Sequence, residues 1–197
     1  LEAESEWTPL AEGATFSENT VLRTDDHTRA RVLLSDGSTL VLNRGTELRL
    51  DAATPRGMRL LRGELFAEIA HLESGPRVEI GTAAGTVEVV GTKFSLVARE
   101  EATEVLVVRG EVSARSSSGT MPVHAGEQGY LAKVGGIAVS PAVGIADALA
   151  WTELGEQQGQ TEREPPSLRG VGELRARRPG EREDRDRALA ITTHHVN

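Results

Sequence analysis

The residues best suited to proton transfer or metal ligation are the five histidines, His27, His71, His124 and the adjacent pair His194 and His195. A metal or a proton relay needs such groups to converge, as two histidines do at i and i+4 of a helix or within HExxH. No pair here has that spacing. On a strand, neighbouring residues point to opposite faces, so His194 and His195 cannot chelate one ion together. A surface role is the plainer reading of all five. Carboxylates could offer calcium chemistry at Asp25-Asp26 and Glu100-Glu101. Calcium loops, however, space their oxygen ligands around a turn-making glycine, and no such loop is present. Solvated turns account for both clusters.

Nucleophilic and phosphate motifs are equally sparse. There is no G-x-S-x-G elbow. Gly85, Gly91, Thr92 and Lys93 approach a phosphate loop, but one residue too many separates the glycines. The intervening T-V-E-V-V reads as a strand, with no helix following to aim its amides at a phosphate. Gly170 and Gly172 lack both a third glycine and a strand–helix–strand setting. The absence of cysteine removes thiol catalysis, disulfides and Cys-based zinc sites. Arg175, Arg177 and Arg178 form a short basic run without aromatic interleaving, a weak signal for nucleic acid. These residues predict no enzymatic activity, no cofactor and no metal.

Composition narrows the partner class. The formal charge of −8 opposes nucleic acid and anionic membrane as main partners. Residues 156–187 carry eight acidic and eight basic side chains, so that segment is neutral and the excess lies in the preceding body. Hydrophobic residues make up 38% of the chain and aromatics only 3%. The core must therefore be built from Val, Leu, Ile and Ala, which favours short stacked strands over a large aromatic-lined cleft. No stretch approaches the ~18 apolar residues of a membrane helix.

The elements that must position any surface are strands. Val87 to Ala114 contains two runs dense in β-branched residues, separated by Arg99 to Thr103 and each broken by a glycine. Val87 and Val89 should share one face with Gly91 and Lys93, opposite Val90, Thr92 and Phe94. In the second run Val105 and Val107 oppose Leu106 and Val108. This predicts a central strand covered by chain on both faces. Between A-R-V-L-L and T-L-V-L-N, Asp36-Gly37 predicts a hairpin with a type I′ turn. Met58 to Ile69 reads as strand around Gly63, with helix as the alternative over Glu64 to His71. Arg62-Gly63-Glu64-Leu65 is echoed by Arg109-Gly110-Glu111-Val112, and the unequal glycine spacings exclude a fixed-period solenoid. The echo predicts strand–glycine–strand corners reused as the chain winds about one core. Trp7 and Trp151 read as packing residues at the ends of the domain.

Four segments follow from the pattern: an all-β domain over 1–140, a short helix over 141–154, a polar linker over 155–170 and a final segment over 171–197. In the last, Leu189 and Ile191 offer an apolar strand face with too little chain beyond them to cover it. Leu189, Ile191 and Val196 are thus candidates for pairing with another copy or another chain.

Taken in order, several motifs resemble those of the FecR-like domain: Trp7, Gly13, L-R-T at Leu22 to Thr24, R-A-R-V-L-L-S-D-G-S-T-L-V-L at Arg29 to Leu42, R-G-E-L at Arg62 to Leu65, V-G-T-K-F-S-L at Val90 to Leu96, V-V-R-G-E-V at Val107 to Val112 and A-G-E-Q at Ala125 to Gln128. The similarity covers about Trp7 to Val139. On this reading Asp36, Gly37, Gly63, Gly91, Thr92, Phe94, Gly110 and Gly126 are structural motif residues. Val171 to Val196 is similar to the opening of a VIT domain, the N-terminal module of inter-alpha-trypsin inhibitor heavy chains and of some bacterial envelope proteins.

The FecR resemblance implies an all-β domain; the residues themselves give short strands, leave open a rolled sandwich or an irregular β-solenoid, and add a short helix and an extended tail. The resemblance also implies a non-enzymatic extracytoplasmic sensing module, in the periplasm or at the cell surface, held by an inner-membrane anchor outside this chain. Its partner would be an envelope or receptor protein, and its output that of FecR-type sigma-factor regulators. The alternative is an envelope assembly protein, a homo-oligomer or a heterologous complex, formed through the C-terminal strand.

Overall fold

The computed structural model describes residues 7–11, 13–16, 19–51, 56–71, 75–152, 174–177 and 189–195. The strands are β1 (Thr8–Pro9), β2 (Thr15–Phe16), β3 (Val21–Thr24), β4 (Thr28–Leu33), β5 (Thr39–Leu42), β6 (Glu47–Asp51), β7 (Gly57–Glu68), β8 (Val78–Gly81) and β9 (Thr86–Val89). They continue as β10 (Lys93–Ala98), β11 (Ala102–Arg109), β12 (Glu111–Ser116), β13 (Gly119–His124), β14 (Glu127–Ala132), β15 (Ile137–Pro141), β16 (Leu174–Arg177) and β17 (Leu189–His195). One short helix, α1 (Ile145–Leu149), and a 3-10 turn over Ala150–Thr152 lie between β15 and β16.

Pairing resolves these strands into two layers. Layer A runs β1–β16–β3–β6–β7–β8–β9–β12–β13. Layer B runs β2–β17–β4–β5–β7–β10–β11–β14–β15. Strand β7 belongs to both: Gly57 to Arg62 pair with β6, and Gly63 to Glu68 pair with β10. All contacts are antiparallel except β7 with β8. The fold is all-β, as the sequence predicts, and Glu64 to Glu68 are strand, not helix.

The chain repeatedly crosses from one layer to the other at a glycine. Gly45 (φ 63), Gly91 (φ 63), Gly110 (φ 83) and Gly126 (φ 84) lie between a strand of one layer and the next strand of the other. Such corners need the left-handed backbone that only glycine adopts without strain. Between the layers pack Leu22, Leu40, Leu48, Leu60, Leu65, Ile80, Phe94, Leu96 and Leu131, all fully buried. The core is aliphatic with Phe94 at its centre, matching the composition. Phe94 faces inward, and Lys93 and Val90 are more exposed.

Three local expectations change. The hairpin after β4 is not type I′, because Gly37 alone has positive φ. Gly37 N–H donates to Leu34 O at 3.0 Å and Leu34 N–H to Ser38 O at 2.8 Å. That is a three-residue loop closing on a left-handed glycine, the next most common hairpin type. Strand β11 is central in the sense that β10 and β14 flank it, yet Leu106 and Val108 stay half-exposed. Two layers cover one face of each strand, and no third lies outside β11 among the described residues. Finally, Val87 and Val89 are buried together with Phe94, because the chain changes layer at Gly91 and the alternation does not run through that corner.

The tail also differs from expectation. Strand β16 pairs with β1 and β3, and β17 pairs with β2 and β4, with Leu189 opposite Phe16 and Ile191 opposite Val32. The strand left without a partner by the sequence reading finds one within its own chain, and Leu174–Arg177 and Leu189–His195 add one strand to each layer. Val196 and the linker 155–170 lie outside the described residues. No helix among the described residues is long and apolar enough to cross a membrane.

Candidate interaction surface

With the inner faces filled, the molecule presents its two outer faces and its strand edges. On each outer face one tryptophan stacks an arginine, and both arginines come from the consecutive strands β3 and β4. The turn between those strands is held by Asp25, whose Oδ1 accepts the N–H groups of His27 and Thr28, each at 2.8 Å.

On the outer face of layer A, the Arg23 guanidinium lies 4.3 Å from the Trp7 ring centroid. Its Nε and Nη2 donate to Glu47 Oε2 at 3.2 and 2.9 Å, and Arg62 Nε donates to the same oxygen at 3.4 Å. Cross-strand register explains the cluster, since Arg23, Glu47 and Arg62 stand opposite one another on β3, β6 and β7. Farther along the face, Arg115 bridges Glu79 and Glu88 at 3.2 and 3.0 Å.

On the outer face of layer B, Glu64 is the hub. Its Oε1 accepts Trp151 Nε1–H at 3.0 Å and Ser95 Oγ–H at 3.4 Å, and its Oε2 accepts Asn43 Nδ2–H at 2.7 Å. Asn43 Oδ1 in turn accepts Arg29 Nε–H at 2.9 Å and Arg44 N–H at 2.9 Å. Arg29 lies 5.6 Å from the Trp151 centroid. Burial, with the neighbouring Arg44 cation added, lowers the pKa of Arg29, and Glu64 partly offsets this. The hub straps the segment after β15 back over the middle of layer B.

Gly63 joins these two clusters. It stands between Arg62, on one outer face, and Glu64, on the other. Its φ is 91, and a Cβ there would meet Thr46 Cα and Oγ1 at 2.6 Å. Thr46 Oγ1 donates to Glu64 O at 3.0 Å and accepts Glu64 N–H at 3.0 Å, fixing the corner. The second corner repeats the device: Thr92 Oγ1 donates to Glu111 O at 2.9 Å beside Gly110. Gly45-Thr46 with Gly63 and Gly91-Thr92 with Gly110 are therefore structural equivalents, which gives the R-G-E echo its physical meaning.

The sequence-derived residues separate accordingly. Asp36 and Gly37 form the β4–β5 hairpin end, where Asp36 Oδ1 accepts Ser38 N–H at 2.8 Å and Oδ2 accepts Arg56 Nε–H at 2.7 Å. Gly63, Gly91, Thr92 and Gly110 make the two corners, Gly126 makes the turn from β13 to β14, and Phe94 is core. None of them converges on a reactive centre. Glu64, Asn43 and Arg29 carry no motif and are invisible as a group in sequence; the one signal is the glutamate recurring after each R-G corner. Trp151, read as a packing residue at the domain's end, packs on a face. Of the histidines, His124 Nδ1 lies 3.0 Å from Glu111 Oε2 with both side chains exposed, and no nucleophilic side chain is hydrogen-bonded to it among the described residues. No group of metal-ligating side chains exists among the described residues.

These features define an all-β module whose accessible chemistry is ion pairing, aromatic stacking and strand edges. The family model described as FecR protein matches residues 20–113, from just before β3 into β12. Two crystal structures of a candidate anti-sigma factor from Parabacteroides distasonis are similar to it. The one at 2.50 Å resolution is 24% identical with a TM-score of 0.59, covering 68% of this chain and 64% of that one. The one at 1.65 Å is 25% identical with a TM-score of 0.56, covering 71% and 64%. The chain thus spans 64% of the length of either solved protein. No curated protein matches it. Over residues 20–113 the family match agrees with the motifs, and the fold is all-β. Nothing in the family match, which ends at residue 113, supports the VIT-like reading of Val171 to Val196.

Proposed function

We propose that this chain is the protein-binding, sensing part of a FecR-type signalling regulator, acting outside the cytoplasm and controlling an alternative sigma factor through a membrane anchor outside these residues. The observation that carries the reading is the FecR match over residues 20–113, joined to the fold shared with a candidate anti-sigma factor. The surface chemistry agrees with it. Exposed arginine–glutamate clusters and half-buried aliphatic positions such as Leu106 suit recognition of a protein, and the hydrogen-bonded groups of both outer faces hold structure instead of a substrate.

The test is transcriptional. Exporting residues 1–197 in the source cell, where they would compete with the native regulator for its partner, should change transcripts from promoters of one alternative sigma factor. Unchanged transcripts, with the exported chain folded and abundant, would count against the proposal. Fractionation of the full-length protein checks the location separately: recovery in the cytosol would remove the extracytoplasmic part of the reading.

A further inference from the structure

Strand β15 ends layer B: it pairs with β14 on one side, and no pairing with another strand occurs on its far side among the described residues. The hydrogen-bond phase shows which groups it leaves open. Ala132 N–H donates to Gly136 O at 3.1 Å and Ala142 N–H to Gly126 O at 2.8 Å, while Tyr130 stands opposite Ala138 and Gln128 opposite Ser140. Bonded pairs recur at every second residue of an antiparallel ladder. Ala138 and Ser140 therefore bond inward to β14, and Ile137 and Val139 direct their backbone groups outward. Pro141 takes the next outward position, and with no N–H to donate it ends the outward row of donors.

The other layer-ending strands are shorter or interrupted: β1 and β2 have two residues each and β13 carries Pro122 within it, whereas β15 has five residues and its one proline, Pro141, is the last of them. Apolar surface gathers around β15 instead. Ile137 and Val139 pack against the core cluster yet remain half-buried. Val134 and Val143, 88% and 91% exposed, bracket the strand, and Tyr130, 46% exposed, stands beside Ala138. Residues 134–146 contain no charged side chain, in a chain of net charge −8.

We infer that β15 is a self-association edge whose occupant is β15 of a second copy, running antiparallel about a two-fold axis at Ala138. In that register Ile137 of each copy pairs with Val139 of the other, and the ladder of layer B continues across the axis. The half-buried Ile137 and Val139 side chains then close the open side of the core. The small Ala138 side chains meet without obstruction, and the Val134 end of one strand lies beside the Val143 end of the other. An isologous contact of this kind uses one patch twice. A second copy fits better than a charged partner because two acidic molecules approach with least repulsion where neither bears charge. The dimer is independent of the signalling role proposed above and of β17.

The absence of cysteine makes the test direct. Ala138→Cys places one thiol per copy at the axis, where a non-hydrogen-bonded antiparallel pair holds its Cα atoms about 4.5 Å apart, within disulfide reach. On mild oxidation the full chain should form a covalent dimer at least about tenfold faster than Ser117→Cys, which puts the thiol on an exposed turn. Sedimentation should show the wild type at twice the chain mass at high concentration, and Ala138→Lys at the monomer mass with an unchanged circular dichroism spectrum. Cross-linking no faster at 138 than at 117, or one mass for wild type and Ala138→Lys at every concentration, would overturn the inference.

Discussion

Each outer face of the sandwich carries one tryptophan stacked on an arginine, but the two are wired differently. On layer A, Arg23 meets both the Trp7 ring and the Glu47 carboxylate directly. On layer B, Arg29 reaches Glu64 only through Asn43, and Trp151 itself donates to that carboxylate. The first arrangement is an ion pair with a ring laid against it, and its arginines reach water. The second is a neutral-donor network around one carboxylate, and it ties a later segment of chain to the sheet. Glu47 is itself buried, but the arginines it pairs are 38% and 55% exposed, so its removal leaves cations that water can solvate, whereas removal of the half-buried Glu64 leaves several neutral donors without a partner. The two faces should therefore respond unequally to equivalent changes.

The largest effect belongs to the corner they share. Gly63→Ala adds a Cβ at 2.6 Å from Thr46 and forces an alanine to φ 91. We expect a loss of about 3 kcal/mol, combining backbone strain and overpacking, read by chemical denaturation. Gly110→Ala meets Thr92 Oγ1 at 3.1 Å and Gly91 O at 3.3 Å, contacts that a small shift relieves, and should lose about 1–2 kcal/mol, mainly from backbone strain. Equal losses at the two corners would mean that Gly63 is not the tighter joint between the faces.

Next come the carboxylates. Glu64→Ala leaves Trp151 Nε1, Asn43 Nδ2 and Ser95 Oγ without their acceptor and should lose about 2 kcal/mol. The amides of residues 148–152 should exchange faster with deuterium as the strap lifts. Glu47→Ala leaves Arg23 and Arg62 to solvent and should lose about 1 kcal/mol or less, diminishing further in high salt. The difference between the faces disappears if Glu47→Ala proves as costly as Glu64→Ala. A milder version is Trp151→Phe, which keeps the ring and deletes one donor. It should lose about 1 kcal/mol and raise exchange only in the strap.

Much of this plan is legible in the sequence, and the unread parts have physical reasons. β-branched runs broken by glycines give the strands and corners, because a positive φ restricts residue choice locally. Asp36-Gly37 marks its hairpin, yet the loop type depends on whether Ser35 or Asp36 begins the turn, and the residues permit either. The covering of β11 on one face only is hidden because Leu106 and Val108 are as apolar as Val105 and Val107. The Glu64 hub is hidden for another reason: its members lie at 29, 43, 64, 95 and 151, and they meet only through strand register and the 3-10 turn that returns Trp151 to the sheet. The place of β17 beside β4 is likewise a matter of pairing, since a lone apolar strand does not announce which edge it fills.

The smallest expected effect lies away from both clusters, at the β4–β5 hairpin end, and serves as their control. Burial alone would raise the Asp36 carboxyl. The Ser38 amide and hydroxyl and the Arg56 guanidinium more than reverse this, so its pKa lies below the ordinary carboxylate value. A group lowered on folding stabilises the protein above its unfolded pKa, about 3.9 for aspartate, and that contribution is lost as pH falls through the folded value. Wild type should therefore be more stable than Asp36→Asn near neutrality, and the gap should close as pH falls below about 4. Asparagine keeps the Oδ1 acceptor for Ser38 and Arg56 keeps its bonds to Ala70 O and Pro76 O, so the turn survives and only the charge is tested. A gap that persists at the lowest pH would assign the effect to turn geometry. In Glu64→Ala the Asp36 transition should be unchanged, because the hairpin end and the hub share no side chain.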